Sequence, residues 1–160
     1  MMQKLSDWLK ANNWHFEINK EIDFQSDIEV LKEYKNLPQE FLDFLKFYKS
    51  VLSKDEKTWF LCLDEYNDNS EYAYKWNEFE LISLEAASGD EDWENEIKNW
   101  WKNKLPIIMS VKDSYSFYAI DMLNNNCIVK GEEPEFEETT VIANSFVEFL
   151  TMLETGKLGL

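Results

Sequence analysis

The chain has a single histidine, His15, standing directly before the strand-like run Phe16-Glu17-Ile18. A Ser–His or Cys–His nucleophilic pair would have to use it. Its setting instead reads as that of a partly exposed loop residue. Cys62 and Cys127 sit inside apolar runs, Phe60-Leu61-Cys62-Leu63 and Cys127-Ile128-Val129. They read as small buried hydrophobes rather than a disulfide, and a zinc site would need more Cys and His than the chain has. The glycines Gly89, Gly131, Gly156 and Gly159 are isolated from one another, so no phosphate-cradling loop is present. Asn67, Asn69, Glu71 and Glu78 match the spacing of calcium-loop ligands. Tyr72 stands where such a loop needs glycine, and the segment reads as a polar turn. Carboxylates are so abundant that no acid–base pair stands out. These residues point away from an enzyme and call for no metal or cofactor.

What does stand out is how the acid is grouped. Between Glu85 and Glu96 there are six carboxylates (Glu85, Asp90, Glu91, Asp92, Glu94, Glu96) and no lysine. Between Lys130 and Lys157 there are seven, five of them in Glu132-Glu133-Pro134-Glu135-Phe136-Glu137-Glu138. A third group, Asp64, Glu65, Asp68 and Glu71, lies beside Tyr72, Tyr74 and Trp76. Any one such run is ordinarily a solvated face. Three of them without interleaved lysine favour a surface built for a basic partner, because long-range attraction speeds encounter and rejects acidic competitors. The candidate partner-binding residues are Glu132, Glu133, Glu135, Glu137 and Glu138, then Asp90, Glu91 and Asp92, with Tyr72, Tyr74 and Trp76 as aromatic anchors.

The composition frames this reading. The 160 residues carry 32 Asp and Glu against 16 basic residues, every one a lysine, for a formal net charge of −16. No basic stripe exists to neutralise nucleic-acid phosphates or to dock on anionic lipid. Disorder is excluded because hydrophobic residues make up 44% of the chain and aromatics 16%, enough to bury a core. Residues 1–13 include Asp7 and no long apolar run, so no signal peptide is expected. The longest uncharged apolar stretch, 105–111, is far too short to span a membrane. A cytoplasmic protein of one domain, 1–160, is expected.

The elements that must position these residues follow from periodicity. Leu5, Trp8 and Leu9 predict a short first helix. Ser26-Asp27-Ile28-Glu29 reads as a capping box opening a helix that presents Ile28, Leu31 and Tyr34. Pro38 falls in the first turn of a helix whose stripe is Phe41, Phe44, Leu45 and Tyr48. Strands are predicted at 58–63 and 79–84, with Tyr72, Tyr74 and Trp76 alternating between them. A helix over 90–102 is expected to bury Trp93, Ile97, Trp100 and Trp101. The run 105–111, the alternation over 114–121 and the segment from Cys127 read as an antiparallel meander, turned at Asn124-Asn125-Asn126. Ser145-Phe146-Val147-Glu148 is a second capping box, opening a helix of Phe146, Phe149, Leu150 and Leu153 that stops at Gly156. The class is α+β, a central, largely antiparallel sheet flanked by helices.

Three blocks in this order resemble a known family. Leu37-Pro38-Gln39-Glu40-Phe41-Leu42-Asp43-Phe44-Leu45-Lys46-Phe47-Tyr48 is similar to the Leu-Pro helix of the SUKH (Smi/Knr-type) superfamily. Leu105-Pro106-Ile107-Ile108 followed by Ser116-Phe117-Tyr118-Ala119-Ile120-Asp121 resembles its apolar strand and its aromatic strand ending in Asp. Ala143-Asn144-Ser145-Phe146-Val147-Glu148-Phe149-Leu150 resembles its closing helix. The chain departs from the pattern at Lys49-Ser50-Val51-Leu52, where an Asn-Gly turn is usual, and at Lys130-Gly131-Glu132-Glu133. The segment of Trp93, Trp100 and Trp101 matches no family block.

The resemblance implies an α+β domain with helices around a largely antiparallel sheet. It further implies the role of many bacterial members, which are immunity proteins encoded beside secreted polymorphic toxins, often nucleases, that they bind and silence. Fungal relatives regulate cell-wall synthesis through protein contacts. The family has no catalytic residues to carry over. A cognate, basic nuclease toxin is therefore the expected partner, occluded by the acidic surface without chemistry. The alternative is a regulatory or adaptor module that binds a cellular protein unconnected to any toxin.

Overall fold

Seven strands form the spine of the computed structural model, which describes residues 1–160. They are β1 (His15–Ile18), β2 (Tyr48–Leu52), β3 (Thr58–Phe60), β4 (Lys104–Ser110), β5 (Ser116–Asp121), β6 (Cys127–Glu132) and β7 (Thr140–Ala143). Each pairs antiparallel with the next, so spatial order equals chain order. Seven helices accompany them: α1 (Met2–Ala11), α2 (Phe24–Asp27), α3 (Gln39–Phe47), α4 (Leu63–Tyr66), α5 (Glu78–Ala86), α6 (Glu91–Trp101) and α7 (Phe146–Glu154). The expected class, α+β with a sheet flanked by helices, is the one observed. No helix is long and apolar enough to cross a membrane.

Register divides the sheet into two faces, because residues directly opposite on paired strands point the same way. Phe60, Ile108 and Tyr118 share one face; Trp59, Met109, Phe117 and Gly131 share the other. The first face is covered by α1, α3 and α7. Phe44 of α3 packs 5.3 Å from Phe60 and 5.8 Å from Phe146, and Phe149 of α7 packs 5.1 Å from Tyr118. All of these side chains are buried. The second face is covered by α5, α6 and loops. Phe117 meets Trp101 at 5.0 Å and Phe79 at 5.9 Å, while Trp59 meets Tyr72 at 5.4 Å and Tyr74 at 5.9 Å.

The helices of the first face match their sequence signals closely. Leu5, Ser6 and Leu9 are the buried positions of α1, and Trp8 is half-buried. Pro38, at φ −58°, ends the extended approach to α3, whose Phe41, Phe44 and Leu45 form the buried stripe. Tyr48 keeps its ring in that core, 5.1 Å from Phe44, but its backbone turns extended and begins β2. Its hydroxyl is shared with Ser6 at 2.7 Å and donates to the Met2 carbonyl, so a fully buried polar group is satisfied. In α7 the Ser145 hydroxyl accepts the Glu148 amide at 3.1 Å, as a cap should. The Glu148 carboxylate reaches back one residue further than expected, to the Asn144 amide at 2.7 Å. Gly156, at φ +72°, follows the helix.

Several expectations are corrected. Residues 79–84 are helical, not a strand. Phe79 and Ser83, one turn apart, are the buried positions of α5, and the helix packs against α6. A run of four apolar residues among six fits either period, and tertiary contact decides. The strand expected over 58–63 ends at Phe60, because the Glu65 carboxylate accepts the Cys62 amide at 2.7 Å and starts α4. The expected capping box at Ser26 is displaced: Asp23 accepts the Ser26 amide, giving the one-turn α2 and then a 3-10 turn over Ile28–Leu31. Only Leu31 there is buried, so no stripe sustains a longer helix. Residues 72–76 form no strand. In α6 Ile97 and Trp101 are buried as expected, Trp100 is half-buried, and Trp93 is 47% exposed. Strands β2, continuing past Tyr48, and β7 had no sequence signal.

Candidate functional site: an acidic groove with a tryptophan floor

The acidic run after β6 is built around one inward-pointing ring. Phe136 is buried and stacks on Phe79 at 4.7 Å with the planes 9° apart. Sinking such a ring is worth roughly 2 kcal/mol, enough to hold a short loop down. Gly131 makes the approach possible. A Cβ there would lie 2.5 Å from the Phe117 ring and 2.6 Å from the Phe136 carbonyl oxygen, closer than side chains tolerate. At the loop's start the Glu133 amide donates to the Tyr115 carbonyl at 2.8 Å, and the Glu133 carboxylate accepts the Tyr115 amide at 3.0 Å. The Glu137 carboxylate accepts the Trp101 indole N–H at 2.9 Å and ties the loop to α6.

These anchors split the five glutamates into different roles. Glu132, opposite Ser116 at the end of β6, pairs with Lys130 at 3.6 Å on the far side of the sheet. Glu133 is the clamp just described. Glu135, Glu137 and Glu138 line a groove of about 430 Å³ between the loop and the α5–α6 pair. Ile82, Ile97, Trp93 and Trp100 supply its apolar side, and Glu96 of α6 adds a fourth carboxylate to its rim. No lysine lines it. Two of the lysine-free segments therefore meet at one place.

One carboxyl outside the groove's lining feels the acid of the 133–138 loop. The Glu80 carboxyl is pushed above its ordinary value, first by burial and then by the nearby Glu137 carboxylate, with Lys98 partly offsetting them. Lys104 shows next door how a cation is held. It is buried, pairs with Asp121 at 3.3 Å, and places its ammonium 4.7 Å from the centre of the Trp100 ring.

The other expected site residues fall elsewhere. Asp90 caps α6, accepting the Trp93 amide at 3.1 Å, and Glu91 and Asp92 are exposed on its first turn, where the helix dipole favours them. Tyr72, Tyr74 and Trp76 are half-buried and engaged within the chain. Tyr72 and Tyr74 cover Trp59, Tyr74 shares a hydroxyl contact with Tyr115 at 3.3 Å, and Trp76 packs 5.7 Å from Tyr66. They form a strap over the second face of the sheet. Of the calcium-loop look-alikes, the Asn67 amide donates to the Asp27 and Leu63 carbonyls, and the Glu78 carboxylate accepts the Lys75 amide. These two are occupied in holding helix ends.

Sequence reasoning named Glu135, Glu137 and Glu138 but missed Glu96, Trp93 and Trp100 as parts of a groove, because all three tryptophans of α6 fitted one buried stripe. No local signal separates Trp93 from the buried positions, since Ile97, also between charged neighbours (Glu96 and Lys98), is buried. No protein-family model matches the chain, and no curated protein matches it. The fold and the groove define it as an α+β protein with an acidic, aromatic-floored recess on one face of its sheet.

Proposed function

We propose that this chain is a SUKH-type immunity protein, which binds a basic toxin domain, a nuclease, inside the cell that makes it and holds that toxin inactive by covering its positive cleft. One observation carries the reading furthest: two lysine-free acidic segments, distant in sequence, converge on a groove whose other wall is aromatic. Carboxylates of this kind stand where nucleic-acid phosphates would otherwise bind in the toxin. No chemistry by the chain is needed. The recess supplies the apolar contact that turns electrostatic encounter into residence, since buried aromatic anchors dominate interface energies and rim charges chiefly set the on-rate.

Co-expression with the toxins encoded beside the gene tests it. Rescue of growth and co-purification are expected for one of them, and the association rate should fall steeply as salt is raised toward a Debye length of about 8 Å. Failure to rescue or to co-purify with any such toxin would favour a regulatory adaptor for a cellular protein. A salt-insensitive association rate would remove the electrostatic part of the proposal.

A further inference from the structure

We propose that the groove is a receptor for an arginine side chain on the partner's surface, its guanidinium seated over the Trp93 ring and facing the carboxylates of Glu96, Glu135 and Glu138. This rests on the reading of the groove as a partner-binding site and names what it takes.

Three features select the occupant. The first is unmatched charge. Glu137 is committed to the Trp101 indole, whereas Glu96, Glu135 and Glu138 line the same cavity and take part in no ion pair within the chain. A carboxylate set with an apolar wall complements a cation on an aliphatic stem. The second is the ring. Trp100 already carries the Lys104 ammonium at 4.7 Å, so the cation-binding capacity left in the groove belongs to Trp93, which is 47% exposed. An exposed tryptophan face with acid around it suits a planar guanidinium, which stacks on the ring while its fork of N–H donors reaches carboxylates. A lysine ammonium can sit over one ring and beside one carboxylate, as Lys104 does with Trp100 and Asp121, but it has no planar fork to lie flat on a ring while reaching several carboxylates. The third is the chain's own composition. All of its 16 basic residues are lysine, so no arginine of its own, or of a second copy, competes for the recess. The volume of about 430 Å³ admits one such side chain together with a neighbouring apolar residue of the partner.

The test uses tetra-arginine amide and tetra-lysine amide, equal in charge, titrated into the full chain and followed by the Trp93 indole N–H signal in NMR spectra. Tetra-arginine should bind about five-fold tighter, the scale of one cation–π contact at a half-exposed ring. Trp93→Ala should reduce tetra-arginine to the tetra-lysine level. A Glu135→Gln/Glu138→Gln pair should weaken both peptides by about five-fold or more, while Asp7→Asn/Asp43→Asn, on helices of the opposite face, should change either by less than about two-fold. Equal binding of the two peptides, a preference that survives Trp93→Ala, or equal losses from the two charge pairs would each overturn the proposal. The outcome is separable from the toxin reading. A Trp93→Ala chain that still fully protects cells sinks the arginine receptor alone, whereas arginine preference with no toxin rescued sinks the immunity role alone.

Discussion

On one face of the sheet, α1, α3 and α7 lay continuous apolar stripes across Phe60, Ile108 and Tyr118, and Phe41, Phe44, Phe146, Phe149 and Leu153 are buried with almost no exposure. On the other, cover is pieced together from α4, α5, α6, the 72–76 strap and the 133–138 loop. Its rings bring polar handles: Tyr66 donates to the Pro106 carbonyl at 2.6 Å, Trp101 donates to Glu137, and the Trp59 indole N–H has no partner. The first face is closed by helices that each bury a stripe. The second is closed by single anchors, Phe136 above all, with acid between them. A face held by isolated anchors can leave a recess; a face of interlocked stripes cannot, because interiors of that kind pack without voids. The tightly packed core thus lies on one face and the proposed recognition groove on the other, and substitutions should divide the same way.

The largest effect should come from the closed face. Phe44→Ala removes a ring that touches Phe41, Tyr48, Phe60 and Phe146, and should cost about 3–5 kcal/mol in denaturant unfolding. A loss below about 1 kcal/mol would mean that this face is not the foundation.

Next comes Glu65, on the open face. Burial raises its carboxyl to about 7, partly opposed by the hydrogen bond from the Cys62 amide. A carboxyl whose folded value is raised binds its proton more tightly folded than unfolded. Its contribution is therefore complete below its ordinary value near 4.5 and is lost as pH rises through about 7. Glu65→Gln keeps an acceptor for the amide and removes the titration. The variant should match the parent near pH 4.5 and exceed it at pH 8 by about 2–3 kcal/mol, read as the difference between two urea-unfolding series. Parallel pH profiles would contradict the buried placement.

A smaller loss, about 1–3 kcal/mol, is expected for Gly131→Ala, since the added methyl meets the Phe117 ring and the Phe136 carbonyl. The sharper readout is local: amides of 133–138 should exchange faster, because the loop must lift off. Trp93→Ala should be smallest of all in stability, within about 0.5 kcal/mol, as expected for a half-exposed side chain. If it unfolds the protein, Trp93 belongs to the core and the groove floor is misassigned.

The same division explains what could be read from the sequence. Phe41-Phe44-Leu45, the Ser145 cap and the alternation over 114–121 are local patterns whose partners lie on strands with equally clear patterns, so the first face and the β4–β6 meander were legible. Residues 79–84 were not, because their apolar run is short and its helical form depends on packing against α6 and against Phe136, which is distant in sequence. Lys49-Ser50-Val51-Leu52, which stands where the family pattern usually has an Asn-Gly turn, is a strand because β1 and β3 flank it. The acidic segments were visible as composition. Their convergence was not, since it depends on Gly131 and Phe136 folding one loop onto the helix that carries the other.

Amide hydrogen exchange of the chain, alone and bound to a toxin that the co-expression experiment recovers with it, tests most directly whether recognition resides on the open face. Protection should appear over 79–86, 93–101 and 133–138, with exchange in α1, α3 and α7 unchanged. Protection confined to α1, α3 and α7, with the groove exchanging as in the free chain, would contradict it.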